Sequence, residues 1–323
     1  GAGKPEVAGE FDIAGQIQGE VSDILASSYG DSLLVVTEDG EVNYFYFTNG
    51  TSMELRQTFK PFADQPDSAI SSIGYVFGGA SVVVTSAEGM QQVWSLYNQP
   101  VETGGESKFV RLFGKTKDLP SLGSPGELFV ASRRNKVVMT GSGNFVTLRH
   151  TTSESVRWEG DLPFEISHFA IDGKVEHLFF LDTGGTLHRY SYDDPHPEAG
   201  WKAFFGKVWY EGASEPAYSW QSTGGTDDFA PQPSLVPLII GSLKGTFYAL
   251  LFAVPIAFRA AIYSSCFRPA RFKNVVKPAM EIMASLPSVV LGFLAGLWLA
   301  PLIEEKVHSI LLSIPSLPLG ALL

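Results

Sequence analysis

Residues 33 to 45 read LLVVTEDGEVNYF. Leu33 to Val36 form a continuous apolar run with β-branched residues, as expected for a strand buried on both faces. Asp39-Gly40 supplies the residue types of a tight turn, and Glu41 to Phe45 returns as a second strand closed by a large apolar ring. This unit of strand, turn and strand recurs. Glycines 40, 89, 143 and 185 are its anchors, spaced by 49, 54 and 42 residues. Four to seven residues upstream of each stand Leu33 to Val36, Val82 to Thr85, Lys136 to Met139 and Leu178 to Leu181. Five residues downstream stand Phe45, Trp94, Leu148 and Tyr190.

That period is the length of one four-stranded propeller blade, and a generic β-sandwich with coincidental spacing is the alternative. The expected fold of residues 1–208 is therefore mainly β, a propeller-like array of about four four-stranded blades. In the first blade the strands are expected at 21–26, 32–38, 41–47 and 53–59. Val93-Trp94-Ser95-Leu96 resembles the end of a WD-repeat strand, but the chain has no Trp-Asp pair. Residues 1–20, Gly-rich and weakly patterned, read as a single strand or an untethered end.

Outward from the repeats, polarity changes near Pro233. Thirty-one acidic and 16 basic residues precede residue 234, against three and seven from there on. An acidic first part has no use for nucleic acid, whose phosphates need clustered Lys and Arg. One cysteine, Cys266, leaves no disulfide framework and no CxxC metal site. Residues 209–233, rich in Gly, Ser, Pro and acids, read as a linker. Its rings Trp209, Tyr210, Tyr218 and Trp220 fit either a headgroup interface or packing on the propeller.

The run Ser234 to Phe258, SLVPLIIGSLKGTFYALLFAVPIAF, holds one charge, Lys244. It is long enough to cross a hydrocarbon core of about 30 Å as a helix. A second apolar run extends from Ala279 to Ile303. Between them lies a segment with Arg268, Arg271, Lys273 and Lys277 and no acid. Two helices, at about 235–265 and 279–303, joined by a short basic loop make a membrane hairpin within 234–323. The four cations set topology by placing that loop in the cytoplasm.

The segment PSLVPLIIGSLKGTFYALLFAVPIA, with EIMASLPSVVLGFLAGLWLAPLIE (Glu281 to Glu304), resembles the permease subunit of phosphate-specific ABC importers. The resemblance covers roughly residues 214–304, and Glu281 to Val290 is its most specific block. Arg259 departs from the family pattern, which has small or apolar residues there. The resemblance implies import of inorganic phosphate driven by ATP hydrolysis on separate ATP-binding subunits, with a second permease subunit and a phosphate-binding protein as partners. It implies the cell inner (plasma) membrane, with residues 1–233 extracytoplasmic, in the periplasm. The chain reads as a piece of a larger protein, since the family's ATPase-docking loop would follow residue 323. A membrane-anchored propeller scaffold or sensor for protein docking is the alternative function.

No enzyme signature emerges, and no cofactor or metal is expected. The six histidines lack HExxH or paired-ligand spacing, and the glycine pairs lack the following Lys-Ser or Lys-Thr of a phosphate loop. A quinone-dependent propeller oxidoreductase would need a central set of convergent charges that the sequence does not reveal. The transport-pathway candidates within the apolar runs are Lys244, Glu281, Pro287 and Ser288. A charge facing lipid is costly, so Lys244 and Glu281 should face protein, water or an interface. Glu281 opens the second run, as either a helix-start carboxylate or the partner of a basic group. Pro255 and Pro287 should kink the spans.

Overall fold

The computed structural model describes residues 9–48, 52–65, 69–103, 106–221, 230–266, 270–285 and 287–307. The chain divides into two compact units, Gly1–Ser242 and Leu243–Leu323.

In the first unit, β1 (Val21–Ala26), β2 (Ser32–Thr37), β3 (Val42–Thr48) and β4 (Ser52–Phe59) form an antiparallel sheet in that order. The pattern repeats in β5 (Ile70–Tyr75), β6 (Ser81–Ser86), β7 (Gln91–Thr103) and β8 (Glu106–Leu119), and again in β9 (Leu128–Ala131), β10 (Val137–Ser142), β11 (Phe145–His150) and β12 (Ser155–Asp161). A fourth sheet has β13 (Ile166–Ile171), β14 (His177–Asp182) and β15 (Leu187–Ser191). The result is a propeller-like array of four blades, and the expected strands of the first blade are all present.

Among the described residues the last blade has three strands instead of four. Beyond β15 the chain reads Asp193-Asp194-Pro195-His196-Pro197. Prolines have no N–H for a ladder, and Asp194 is occupied by the Arg157 guanidinium through bonds of 2.6 Å to each carboxylate oxygen. The chain then turns into a short helix, α1 (Trp201–Phe205).

Blades pack on one another in chain order. Leu34, Val36, Val42 and Tyr44 of the first meet Val82, Val84, Leu96 and Phe113 of the second. Val83 and Val93 of the second meet Val138 of the third. Val137, Met139, Val146 and Leu148 of the third meet Leu178 and Phe180 of the fourth. A central strand such as β6, SVVVTS, is thus buried along its whole length because both of its faces are covered. Burial of this kind contributes about 25 cal/mol per Å² of apolar surface removed from water.

The four anchor glycines all have positive φ, at 79°, 82°, 60° and 85° for Gly40, Gly89, Gly143 and Gly185. In three units the anchor N–H donates to the carbonyl three residues back, at Thr37, Ser86 and Asp182. The third is tighter, a two-residue loop of Gly143-Asn144 between the paired Ser142 and Phe145. Its anchor therefore follows the end of its strand by one residue, against three in the other units.

The repeat extends to the bulges. The first pairing of blades one, two and four shifts register at Val21/Asp23, Ile70/Ser72 and Ile166/His168. The last pairing of blades one to three shifts at Tyr44/Phe45, Val93/Trp94 and Leu148/Arg149. Bulges sharpen the local twist, which lets successive blades splay around an axis.

Phe45 and Leu148 are fully buried, Trp94 is half-buried and stacks on Phe59 with ring centroids 4.6 Å apart, and Tyr190 lies at the surface. Within the amino-terminal segment, residues 9–20 form no strand. They make a single turn at Ala14–Gln16 and rest on the first blade, with Phe11 edge-on to Phe47 and the Leu55 N–H donating to Gln16 Oε1.

Residues 209–221 pack along the first unit. Tyr97 of β7 bridges Gly212, and Val208 pairs with Ala217. A two-residue hairpin of β16 (Trp220–Gln221) and β17 (Gln232–Pro233) leads into α2 (Val236–Cys266).

In the second unit, α3 (Ala270–Ser285) follows the remainder of α2. After Pro287 come α4 (Ser288–Leu294), a π-helical turn at Ala295–Leu299, and α5 (Ala300–Glu305). The expected basic loop is therefore mostly helix. Ala270 to Lys277 contains no Gly or Pro, and Pro278 sits inside α3. The expected single helix over 279–303 is divided, with Pro287 (φ −58°, ψ 121°) acting as the cap of a new helix, not as a kink within one. Arg268 lies outside the described residues.

Candidate functional site

Among the described residues two stretches, Val236–Cys266 and Ser288–Glu305, are long and apolar enough to cross a membrane, with mean hydropathies of 1.6 and 1.5. At about 1.5 Å per residue α2 extends roughly 46 Å, beyond the length a hydrocarbon core requires. It buries no residue, and its apolar side chains are spread around the helix, with Lys244 and Arg259 the charges it carries.

The structure separates the transport-pathway candidates. Lys244 is exposed on α2, its ammonium 5.9 Å from the ring centroid of Tyr248 one turn on. Glu281 lies on α3, where it lines a cleft of about 540 Å³ with Lys277, Met280 and Ala284 of α3 and Ala261 and Ser264 of α2. Seventeen residues of helix separate Lys244 from Ala261, about 25 Å along the axis, so Lys244 does not reach this cleft. Pro287 and Ser288 start α4, the Pro287 carbonyl accepting from Val290 N–H at 3.0 Å.

Glu281 is no helix-start carboxylate. It lies four residues before the C-terminal end of α3, where the backbone dipole disfavours an anion. Lys277 stands one turn earlier on the same face. That cation, set by sequence reasoning among the topology residues, is thus also the basic neighbour of Glu281 in the cleft. Arg271 and Lys273 are carried by α3 as well.

The first unit holds a set of buried charges that sequence reasoning missed. Lys136, 3% exposed, donates to the Phe77 carbonyl and to Glu211 Oε2, both at 2.5 Å. Lys117 donates to the Thr151 and Thr152 carbonyls at 2.9 and 2.8 Å, and burial pushes its ammonium down to about 8. Burial, reinforced by Lys117 and Arg157, pushes His150 down to about 3, so its ring is neutral. Its Nδ1 lies 2.9 Å from Ser153 Oγ and accepts from the Ser153 N–H at 3.3 Å. Asp194 holds Arg157 and also accepts from the Tyr192 hydroxyl at 2.8 Å.

Lys136, His150, Tyr192 and Asp194 border a pocket of about 380 Å³. Lys136 is paired with Glu211 and Asp194 with Arg157, which ties the 209–221 segment and the β15–α1 connection to the blades. No local spacing announces it, since Lys136 and Glu211 are 75 residues apart. Asp172, Glu176 and His177 bring potential ligand atoms within 4.8 Å of one another. Asp172 there accepts from the Glu176 N–H and from His177 Nδ1, at 2.8 and 3.0 Å, closing an exposed turn.

The linker rings divide between the two expected readings. Tyr210 is buried, and Trp209 donates to the Ala213 carbonyl with its ring tilted against Tyr97. Tyr218 and Trp220 are exposed.

No protein-family model matches the chain. Among curated proteins, it is 33% identical over 78 residues to a probable ABC transporter permease protein, YqgH, of Bacillus subtilis, covering 24% of this chain and 25% of that protein. It is 33% identical over 75 residues to the phosphate transport system permease protein PstC of Pasteurella multocida, covering 23% of each. Against PstC of Haemophilus influenzae the figure is 32% over 79 residues, covering 24% of this chain and 25% of that protein. The chain thus spans about a quarter of the length of these relatives. Among solved structures, the β-propeller domain of Cps50 (Swd1) from Myceliophteria thermophila superposes with a TM-score of 0.42 at 12% identity, over 54% of each chain.

Proposed function

We propose that the chain is part of the membrane-spanning permease of an ATP-driven importer of inorganic phosphate, with its propeller unit outside the membrane. The observation that carries this reading is the similarity, over about a quarter of the chain, to permeases named for phosphate transport. Two helices suited to a bilayer support it. A basic segment between them favours a cytoplasmic connection and an extracytoplasmic acidic unit, in the inner membrane with residues 1–233 in the periplasm. A second permease subunit, ATP-binding subunits and a phosphate-binding protein complete the system. In this scheme Glu281 and Lys277, of opposite charge and one helical turn apart, line the cleft between α2 and α3, within reach of the pathway but short of lipid. Uptake of labelled phosphate by a strain lacking the intact protein tests the reading. Restored uptake on complementation is expected, and uptake indifferent to the protein's presence would overturn it in favour of a docking scaffold.

A further inference from the structure

The segment joining the last blade to α2 displays large rings outward. Trp201 is 82% exposed, Trp220 51%, Tyr218 43% and Phe205 42%. A single exposed ring is ordinary on a soluble surface. These four are different because hydrogen bonds gather them around one point. The Leu235 N–H donates to the Phe204 carbonyl at 2.9 Å, joining α1 to the residue before α2. The Ser234 N–H donates to the Ser219 carbonyl at 3.1 Å, and Trp220 pairs with Pro233 in the hairpin.

Each ring thus sits on a short element tied to residues 233–235, directly ahead of a helix that is apolar on every side. The elements are held firmly. Ala203 is buried beneath α1, Lys202 pairs with Glu154 at 2.6 Å, and Trp201 stacks on Phe205 with centroids 5.3 Å apart. The Lys207 ammonium lies 5.9 Å from the centroid of the Tyr218 ring. Exposed Trp and Tyr beside Lys, at the head of an apolar helix, is the composition of a headgroup-level anchor.

We propose that Trp201, Phe205, Tyr218 and Trp220 form a collar that inserts into the lipid headgroup region where α2 enters the bilayer. The partner is the membrane surface. The inference rests on the membrane reading of α2, and continuity with that helix is what favours lipid over a protein partner. The collar would fix the depth of α2 and seat the end of the first unit against the bilayer.

The test uses the whole chain in phosphatidylcholine vesicles, with lipids brominated either near the carbonyls or deep in the acyl chains as quenchers of tryptophan fluorescence. Trp298, within the second candidate span, reports deep quenching. The double variant Trp201→Phe, Trp220→Phe alters only exposed rings, so folding is preserved. The expected result is strong shallow quenching in the parent chain, its loss in the double variant, and unchanged deep quenching in both. Trp209→Phe, whose ring packs on Tyr97, should keep the shallow component. Shallow quenching that survives the double variant, with deep quenching intact, overturns the collar and leaves the spans standing. Absence of quenching at either depth overturns the membrane reading and the collar with it.

Discussion

His150 makes the first unit sensitive to acid in a way that can be isolated. Its ring is 3% exposed, with Lys117 and Arg157 adding to the effect of burial, and is pushed down to about 3. In the unfolded chain it regains an ordinary value near 6.5. Between those limits the unfolded state binds the proton and the folded state does not, so stability falls as pH falls. The contribution is complete above about pH 6.5 and lost by about pH 3. At about 1.4 kcal/mol per unit, the ceiling is roughly 5 kcal/mol, comparable with the whole stability of a modest domain. Carboxylates held low, such as Asp194, add a slope of the same sign. Comparison with His150→Asn removes that background, because the variant does not titrate but retains an acceptor for the Ser153 N–H. Guanidinium unfolding in detergent, followed by far-ultraviolet dichroism, should show the native chain more stable near pH 7 and the variant more stable near pH 4. Parallel stability profiles across that range, with the imidazole titrating near its free value, would refute the argument.

Three further outcomes are expected. Ala at Gly89 should cost clearly more than Ala at Gly143, as compared by thermal midpoints. Both have positive φ, worth about 1–2 kcal/mol, but a Cβ at Gly89 would lie 2.4 Å from the Ser124 carbonyl oxygen, while one at Gly143 meets nothing within 4 Å. Glu211→Gln should destabilise the first unit by about 3–5 kcal/mol by stranding the Lys136 ammonium, and Lys136→Met with Glu211→Leu should regain much of the loss in denaturant unfolding. Single and double variants of equal stability would mean that the pair is not coupled. If the chain is part of a phosphate importer as proposed, Glu281→Gln in the intact protein should lower phosphate uptake more than tenfold at normal membrane levels, a barrier change above about 1.4 kcal/mol; unaltered uptake would remove Glu281 from the proposed pathway.

The propeller was legible because its signal is local. A run such as Val82 to Thr85 can be buried on both faces only between neighbouring sheets, and Gly40, Gly89 and Gly185 occupy a backbone conformation that other residues resist. The apolar character of α2 was equally plain, since length and composition decide it. Local pattern misjudged three things. It read the basic segment as a loop, although Ala270 to Lys277 contains nothing to break a helix. It placed Glu281 at a helix start, because the apolar count begins there while the hydrogen-bonded helix begins eleven residues earlier. It also supplied a fourth strand to the last blade, where Pro195, Pro197 and the Arg157–Asp194 pair turn the chain aside. The buried charges depended wholly on tertiary structure. Lys117 and Lys136 look like surface lysines in sequence, and only folding brings the carbonyls of Thr151, Thr152 and Phe77, with the Glu211 carboxylate, close enough to replace water around their ammonium groups. Periodicity and composition follow from neighbours along the chain, whereas solvation of a buried charge depends on groups that the chain brings together from far apart.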